Sequence, residues 1–322
     1  MATVTHEHKG YPDFFRLTTD IASGKITTQG KQRHDDDTET VVDFDFSIDP
    51  QVGWGTCERQ YSVAGFLAAF PVFEPHYQVL LSRGKIPRGY LKLATTTTST
   101  KDDEALPPTS TFYDLANSTI YLEKNWGGSF PSQWFWVQAN TFVDAATAKP
   151  FTSQSSSTAL DLCVTTTGGL RRLPFSFQNP DREEQVALIA LHWNGEFLPF
   201  PEVEWTVEWG KWTVRGSYQD YLVELQGTCQ DKIGFPVNCP TDRGMEEIAM
   251  ETFRGELRVK LFEKSSNEGS GRIVLDAIDT QACLEIGGLP WKDRVWIGQS
   301  AMEEPIKSIA MNIGECLFSF AA

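Results

Sequence analysis

The sequence predicts an all-β protein built from many short, mostly antiparallel strands. Two stretches, 202–210 ("EVEWTVEWG") and 255–263 ("GELRVKLFE"), alternate apolar and polar residues with the period of a half-buried strand. The dipeptide Asn194-Gly195 separates two further strand-like runs and is the strongest short signal for a hairpin. Helical periodicity is scarce, so we expect a barrel or a sandwich.

The remaining segments are assigned in chain order from their composition. Residues 94–114 are rich in Thr, acidic residues and Pro, and they predict a loop. Residues 144–159 are small and polar, and they predict the link between two domains. Residues 241–253 are compatible with a short helix. Residues 270–279 and 281–288 indicate a further pair of strands.

The composition of the 322-residue chain narrows the possible functions. This length is sufficient for two hydrophobic cores. The formal net charge of -15 repels phosphate backbones, so nucleic acid is not an expected partner. No apolar run reaches the roughly 18 residues of a membrane-spanning helix. The start of the chain lacks the features of a secretory signal or a transit peptide, so we expect a soluble protein with no visible targeting peptide.

The spacing of Cys, His and Gly gives no sign of three common kinds of site. The six cysteines form no CxxC pair and the five histidines have no HExxH or facial-triad spacing, so we expect no metal site. Free thiols are the preferred interpretation, although pairing of Cys229 with Cys239 stays open. The chain has no G-x-G-x-x-G frame, P-loop or G-x-S-x-G elbow, so phosphate cradling and acyl transfer are not expected.

The most unusual segment is "EKNWGGSFPSQWFWVQANTF", residues 123–142. In a strand, neighbouring side chains point to opposite faces. One face would then carry Trp134, Trp136, Gln138, Asn140 and Phe142. The other would carry an ordinary core set of Phe135, Val137, Ala139 and Thr141. A dry core tolerates two amides only if both are paired, so the first face indicates either a ligand cavity or a core with satisfied amides.

Three carboxylates lie among apolar or aromatic neighbours in the sequence, namely Glu74, Glu123 and Glu285. Burial raises the pKa of a carboxyl group and keeps it protonated near neutral pH, where it can act as a general acid. The alternative is a structural ion pair with Lys124, Arg171 or Arg172. Lys124 is expected on the opposite side of the strand from Glu123 and would not neutralise it directly.

Four long segments together resemble the tocopherol cyclase family. They are "SVAGFLAAFPVFEPHYQVL" (62–80), the segment 123–142 quoted above, "GGLRRLP" (168–174) and "LEIGGLPW" (284–291). The hairpin region 186–228 follows the family in order and spacing. The similarity covers roughly residues 53–291. The shorter "NWG…W.W" element also resembles the wider superfamily of lipocalin-like isoprenoid hydratases and pericyclases.

The resemblance implies tandem lipocalin-like antiparallel β-barrels. Residues 1–150 would form the first barrel, which we expect to be incomplete at its N-terminus because family members carry further residues there. Residues 151–322 would form the second barrel and a C-terminal tail. The implied reaction needs no cofactor: a phytyl- or prenyl-benzoquinol is converted to a chromanol by alkene protonation and capture of the cation by a phenol oxygen of the same molecule. Indole faces stabilise such a cation.

The resemblance also implies roles for particular residues. The candidate proton donors, in order of preference, are Glu123, Glu285 and Glu74. The candidate substrate-binding residues are Asn125, Trp126, Trp134, Trp136, Gln138, Asn140, His76 and Trp291, and no residue is assigned to a metal. Trp126, Trp134, Trp136 and Trp291 are expected to line one cavity.

Two other functions stay open on the sequence. An isoprenoid alkene hydratase would share the protonation step and let water trap the cation. A lipocalin-like binder of prenyl lipids would have no turnover. In each case the expected partner is a hydrophobic small molecule such as a prenylated quinol, with peripheral membrane or lipid-droplet contact as a further expectation. The resemblance suggests a plastid or a photosynthetic membrane surface as the location.

Overall fold

The chain folds into two compact units in this computed structural model. One unit comprises Met1–Val52 and Arg83–Leu122, and the other comprises Gly53–Ser82 and Glu123–Ala322. The structure describes residues 4–7, 14–17, 21–31, 37–55, 76–98, 108–126, 130–150, 162–172, 183–241, 243–264, 271–288 and 294–300. Within these ranges, no helix has the length and apolar character needed to cross a membrane.

The first sheet belongs mainly to the first unit and runs in the order β1-β2-β3-β4-β5-β6, with β7 paired to β5. Its strands are β1 Val4–Glu7, β2 Phe14–Leu17, β3 Ile21–Lys31, β4 Asp37–Val52, β5 His76–Thr98, β6 Thr109–Asp114 and β7 Thr119–Trp126. Consecutive strands from β1 to β6 pair antiparallel. The last residues of β7 and the first residues of β5 belong to the second unit.

The second unit contains a larger antiparallel sheet in the order β12-β11-β10-β8-β18-β17-β15-β14-β13-β19, with β16 paired to β17 and β9 to β18. Its strands are β8 Gln133–Ala139, β9 Val143–Asp144, β10 Cys163–Arg172, β11 Glu183–Trp193, β12 Glu196–Phe200, β13 Glu202–Glu208, β14 Lys211–Tyr218, β15 Tyr221–Cys229, β16 Phe235–Thr241, β17 Gly244–Glu263, β18 Arg272–Gly288 and β19 Trp296–Gln299. Apart from a 3-10 turn at Gln230–Lys232, the described regular elements are strands, which confirms the all-β prediction.

The second sheet curls around one apolar core. Phe135, Leu191, Trp212, Leu257 and Ile286 are almost fully buried in it, although they come from five different strands. The two ends of the strand order also approach each other, because the Gln299 backbone N–H in β19 donates to Oε1 of Gln185 in β11 at 2.9 Å. Complete closure into a barrel stays a prediction.

Local sequence patterns predicted several secondary-structure elements correctly and others wrongly. Strand β13 alternates exposed and buried residues as predicted. The Asn194-Gly195 hairpin is confirmed, and both residues adopt the positive φ angles that such a turn requires. The helix considered for 241–253 is wrong, because most of this segment lies in β17 and pairs with strands on both sides. The loop predicted for 94–114 is partly wrong, since its ends lie in β5 and β6 and 99–107 fall outside the described residues.

The pair of strands predicted for 270–288 is instead one strand, β18, with a bulge in its middle. Buried residues occupy odd positions up to Asp279 and even positions from Ala282 to Ile286. A second bulge near Phe253 changes the parity of β17 in the same way. Each extra residue reverses the faces of the strand beyond it. The bulges therefore turn Glu285 and Glu251 away from the apolar core.

The bulge in β18 is held by the buried carboxylate of Asp279. Its oxygens accept hydrogen bonds from the backbone N–H groups of Thr141 at 2.6 Å and Gln281 at 2.8 Å, and from the Thr141 hydroxyl at 2.9 Å. These bonds also fix the end of β8 against β18. The carboxylate thus satisfies donors that the broken ladder leaves unpaired.

Asp279→Ala is expected to lower the free energy of unfolding by about 2–3 kcal/mol, because it leaves several part-buried donors without an acceptor. Urea titration would measure this loss. Asp144→Ala is the matched control, because Asp144 accepts similar bonds from Thr147 and Ala146 in an exposed turn. It should cost about 1 kcal/mol or less. Equal losses in the two variants would contradict the role of Asp279.

The predicted boundary between two barrel domains at residue 150 stays a prediction. In the structure, β8 lies between β10 and β18 and hydrogen bonds with both. It therefore belongs to the sheet of the second unit. The predicted linker at 144–159 begins with a turn at 144–148, and residues 151–159 lie outside the described residues.

Candidate active site

Strand β8 has two faces with different chemistry. Phe135, Val137 and Ala139 lie in the apolar core, as predicted. Trp134, Trp136, Gln138 and Asn140 lie on the opposite face, which we call the polar face. Trp134, Gln138 and Asn140 are each less than 10 % exposed. A face that buries indoles and amides together needs partners for their polar atoms.

Strand β5 provides partners at both ends of this face. The Trp136 indole N–H donates to the Tyr77 hydroxyl at 3.0 Å, and the Asn140 amide donates to the backbone carbonyl of Ser82 at 3.1 Å. Val79 and Leu81 are buried between these contacts in β5. The first residues of β5 therefore cover the polar face within the same unit.

Glu285, in the neighbouring strand β18, lies directly opposite Trp136 of the polar face. The Trp134 indole N–H donates to its Oε1 atom. Gly287 makes this contact possible, because a Cβ atom there would lie only 2.1 Å from the Trp134 ring. Burial raises the pKa of Glu285 to about 7; the Trp134 hydrogen bond opposes this rise and the nearby Glu123 carboxylate adds to it. Glu285 is therefore an acid that retains its proton near neutral pH.

Glu251 lies directly opposite Glu285 on the neighbouring strand β17. Burial raises the pKa of Glu251 to about 7 as well, and the charges of Glu285 and Glu123 contribute to the rise. Two carboxyl groups at opposed positions cannot both ionise without repulsion, so the pair shares its protons over a common pH range. Sequence reasoning missed Glu251, because the segment that contains it was considered for a helix and the bulge near Phe253 has no clear sequence signal.

Glu123, the first choice from the sequence, is half-buried, as Glu285 and Glu251 are. Glu123 accepts a hydrogen bond at its Oε1 atom from the amide of Asn125 at 3.0 Å. It lies close enough to Glu285 and Glu251 to raise the pKa of both. Lys124 is exposed, which agrees with the predicted alternation. Three carboxyl groups thus meet near the polar face, and Glu285 combines a raised pKa with a hydrogen bond from the buried Trp134 indole.

The thiols of Cys239 and Cys283 lie near these carboxyl groups. Burial and the charges of Glu285 and Glu251 raise the pKa of Cys239 to about 11. Burial, followed by the charges of Glu251, Asp279 and Glu123, raises the pKa of Cys283 to about 12. Both are free thiols in the structure, as are Cys163 and Cys229. Both Cys239 and Cys283 are therefore uncharged at pH 7 and place no charge beside Glu285 and Glu251.

Several predicted site residues cannot be placed. Glu74 and Trp291 lie outside the described residues. His76 and Trp126 lie at the start of β5 and the end of β7, but their side chains are outside the described part of the chain. The single cavity expected for the four tryptophans therefore stays a prediction. Phe142 does not share the polar face, because β8 ends at Ala139 and Phe142 turns into the apolar core.

The pH dependence of stability follows from the raised pKa of Glu285. Between the ordinary value of 4.5 and about 7, the folded chain keeps a proton that the unfolded chain has released. The free energy of unfolding therefore falls as the pH rises through this window. Glu285→Gln cannot ionise and should lose less stability over the same range, by up to about 3 kcal/mol in urea titrations. Parallel pH profiles for the two proteins would contradict this assignment.

The fold and the site define a class of protein: an all-β protein that holds a protonatable carboxyl group among buried aromatic side chains. Such a site suits proton transfer to an apolar ligand more than it suits hydrolysis by an activated nucleophile. Comparison with known sequences identifies the family.

A family model described as "Tocopherol cyclase-like" matches residues 8–288, and the chain belongs to this family. A rice protein (Oryza sativa subsp. japonica) named "Probable tocopherol cyclase, chloroplastic" is 31% identical over 304 residues, which is 92% of this chain and 57% of the rice protein. A maize protein (Zea mays) named "Tocopherol cyclase, chloroplastic" is 31% identical over 302 residues, 92% of this chain and 56% of the maize protein. The chain thus spans little more than half the length of these relatives. No solved structure gives a significant match.

Proposed function

We propose that this chain is a cyclase that converts a phytyl- or prenyl-benzoquinol to a chromanol. The observation that carries the proposal is Glu285, a half-buried residue whose carboxyl pKa is raised to about 7 mainly by desolvation and which accepts a hydrogen bond from the Trp134 indole. Membership of the tocopherol cyclase-like family supports the substrate class. The acid is chemically suited to the difficult step, because an isolated alkene accepts a proton only from a well-placed donor.

The reaction balances with protons alone. The O–H bond of Glu285 breaks, and the π electron pair of the trisubstituted alkene forms a C–H bond at its less substituted carbon. The tertiary carbon is left with a positive charge. A lone pair of the phenol oxygen forms the C–O bond that closes the ring, and the phenol proton leaves to a carboxylate. The product is an isomer of the substrate, and the acid is restored.

The neighbours of Glu285 have distinct roles in this scheme. Because Trp134 donates to Oε1, the transferable proton resides on Oε2. In this scheme the indole faces of Trp134 and Trp136 stabilise positive charge on the substrate. Glu251 shares protons with Glu285 and accepts the phenol proton in the final step. Burial is the main cause of the raised pKa values of Glu285 and Glu251, and the charge of Glu123 adds to both.

Incubation with a phytyl-benzoquinol under anaerobic conditions, followed by mass analysis of the product, tests the proposal. A cyclase gives a product of unchanged mass that has lost one free phenol group, which silylation reveals. Addition of one water would instead identify an alkene hydratase. Recovery of the substrate, together with saturable binding, would identify a lipid-binding protein and overturn the proposed activity.

A further inference from the structure

The polar face of β8 contains one donor that its neighbours do not use. Gln138 is 5% exposed, and its Nε2 atom has no hydrogen-bond partner among the described residues. The residues on either side of it on this face, Trp136 and Asn140, both donate to β5. A buried amide donor without an acceptor is costly and rare in native structures. The unpaired Nε2 donor of Gln138 therefore requires an explanation.

The register places Gln138 beside the acid. Gln138 faces Cys283 across β8 and β18, and Trp136 faces Glu285. Gln138 and Glu285 are therefore diagonal neighbours on one face, with a typical separation of about 7–8 Å between their backbones. Thr165 faces Gln138 from the other side, in β10. The free donor thus lies one step along the sheet from the proton donor.

We propose that the Gln138 amide donates a hydrogen bond to the phenol oxygen that closes the chromanol ring. This inference rests on the proposed function and assigns a positioning residue within it. The oxygen must wait next to the tertiary carbon while the adjacent alkene carbon receives its proton. A hydrogen bond of about 3 Å at each end and a near-attack separation of about 3–3.5 Å span roughly 6–9 Å along a bent path. The diagonal backbone separation is of the same order, so the ends of the two side chains can reach opposite ends of this span.

The arrangement also orients the oxygen. A donor on the phenol oxygen occupies one lone pair and leaves the other directed toward the carbon that becomes positive. The hydrogen bond would therefore set which of the two quinol oxygens reacts, since the oxygen across the ring points away from β8. Gln138 has no charge and does not take part in proton transfer.

Stability of the ligand-free protein is the first test. Gln138→Met keeps the approximate size of the side chain and removes the unused donor. We expect its melting temperature to rise by about 2–4 °C, because a buried unsatisfied amide no longer opposes folding. Gln226→Met, at an exposed position of β15, is the control and should show no change. A clear fall in the melting temperature of Gln138→Met would show that the amide serves the fold and would overturn the proposal.

Ligand discrimination is the second test. Binding of an alkyl hydroquinone with a saturated chain, which cannot react, is compared by calorimetry with binding of the matching alkylbenzene. The wild type and Gln226→Met should prefer the hydroquinone by about tenfold or more, and Gln138→Met should lose most of this preference. An undiminished preference in Gln138→Met would overturn the role of Gln138. If the preference depends on Gln138 but the quinol substrate is returned unchanged, the oxygen site stands and the proposed cyclase activity fails.

Discussion

Replacing Glu285 by glutamine is expected to lower turnover of a prenylated quinol by about a hundredfold or more, the usual scale for loss of a general acid. Glutamine keeps the shape of the side chain and an oxygen that accepts the Trp134 hydrogen bond, but it has no transferable proton. Binding of a non-reacting quinol analogue should therefore persist while product formation collapses. Single-turnover rates at pH 7 and binding titrations measure the two quantities separately.

Two further variants make this result specific to Glu285. Glu256→Gln changes an exposed carboxylate on β17 and should retain the wild-type rate. Glu123→Gln removes the first choice from the sequence and should mainly lower the pKa of Glu285 and Glu251, which moves the pH profile toward acid. A full rate in Glu285→Gln together with a collapse in Glu123→Gln would assign the proton donor to Glu123 instead.

Gly287→Ala is expected to lower turnover by at least about tenfold and to destabilise the fold by about 1–3 kcal/mol. A Cβ atom at this position would lie 2.1 Å from the Trp134 ring, so the indole must move. Its movement breaks the hydrogen bond that fixes Oε1 of Glu285. Without this donor the pKa of Glu285 should rise further, and the alkaline limb of the rate profile should shift to higher pH.

Gly169→Ala is a matched control for this prediction. Gly169 faces Trp134 from the opposite strand, β10, but a Cβ atom there would meet its nearest neighbours at 3.3–3.4 Å. A shift of a few tenths of an ångström accommodates it, so activity should stay near that of the wild type. Comparable losses in both variants would show that the site tolerates no change near Trp134 at all. Wild-type activity in Gly287→Ala would contradict a role for the indole contact.

The sequence was sufficient where alternation is unbroken. The buried and exposed faces of β13 and the core face of β8 follow from period two, and Asn194-Gly195 determines its hairpin. Alternation fails where a strand ends or bulges. Phe142 enters the core because β8 has already ended, and the parity of β17 and β18 changes in mid-strand. These changes depend on long-range contacts such as the Asp279 hydrogen bonds, which no local pattern encodes.

The dependence on long-range contacts also explains why only part of the candidate site could be predicted from the sequence. Apolar neighbours in the sequence indicate Glu74, Glu123 and Glu285 as candidate donors with Glu123 first, and this assignment stays a prediction. What distinguishes Glu285 from Glu123 is its hydrogen bond with Trp134, which lies 151 positions away in the chain. Glu251 was missed because its significance arises only from its register with Glu285. The unused donor of Gln138 was visible in the sequence as an amide on an aromatic face, but its lack of a partner is a property of the folded chain.

The proposed reaction protonates one carbon of an alkene and closes the ring at the other. Turnover of a phytyl-benzoquinol in D₂O tests this directly, because the proton added to carbon does not exchange afterwards. We expect a chromanol with one deuterium on the ring carbon next to the new C–O carbon, and the loss of this product in Glu285→Gln. A ring-closed product without carbon-bound deuterium, or a deuterated product formed at the same rate by Glu285→Gln, would contradict it.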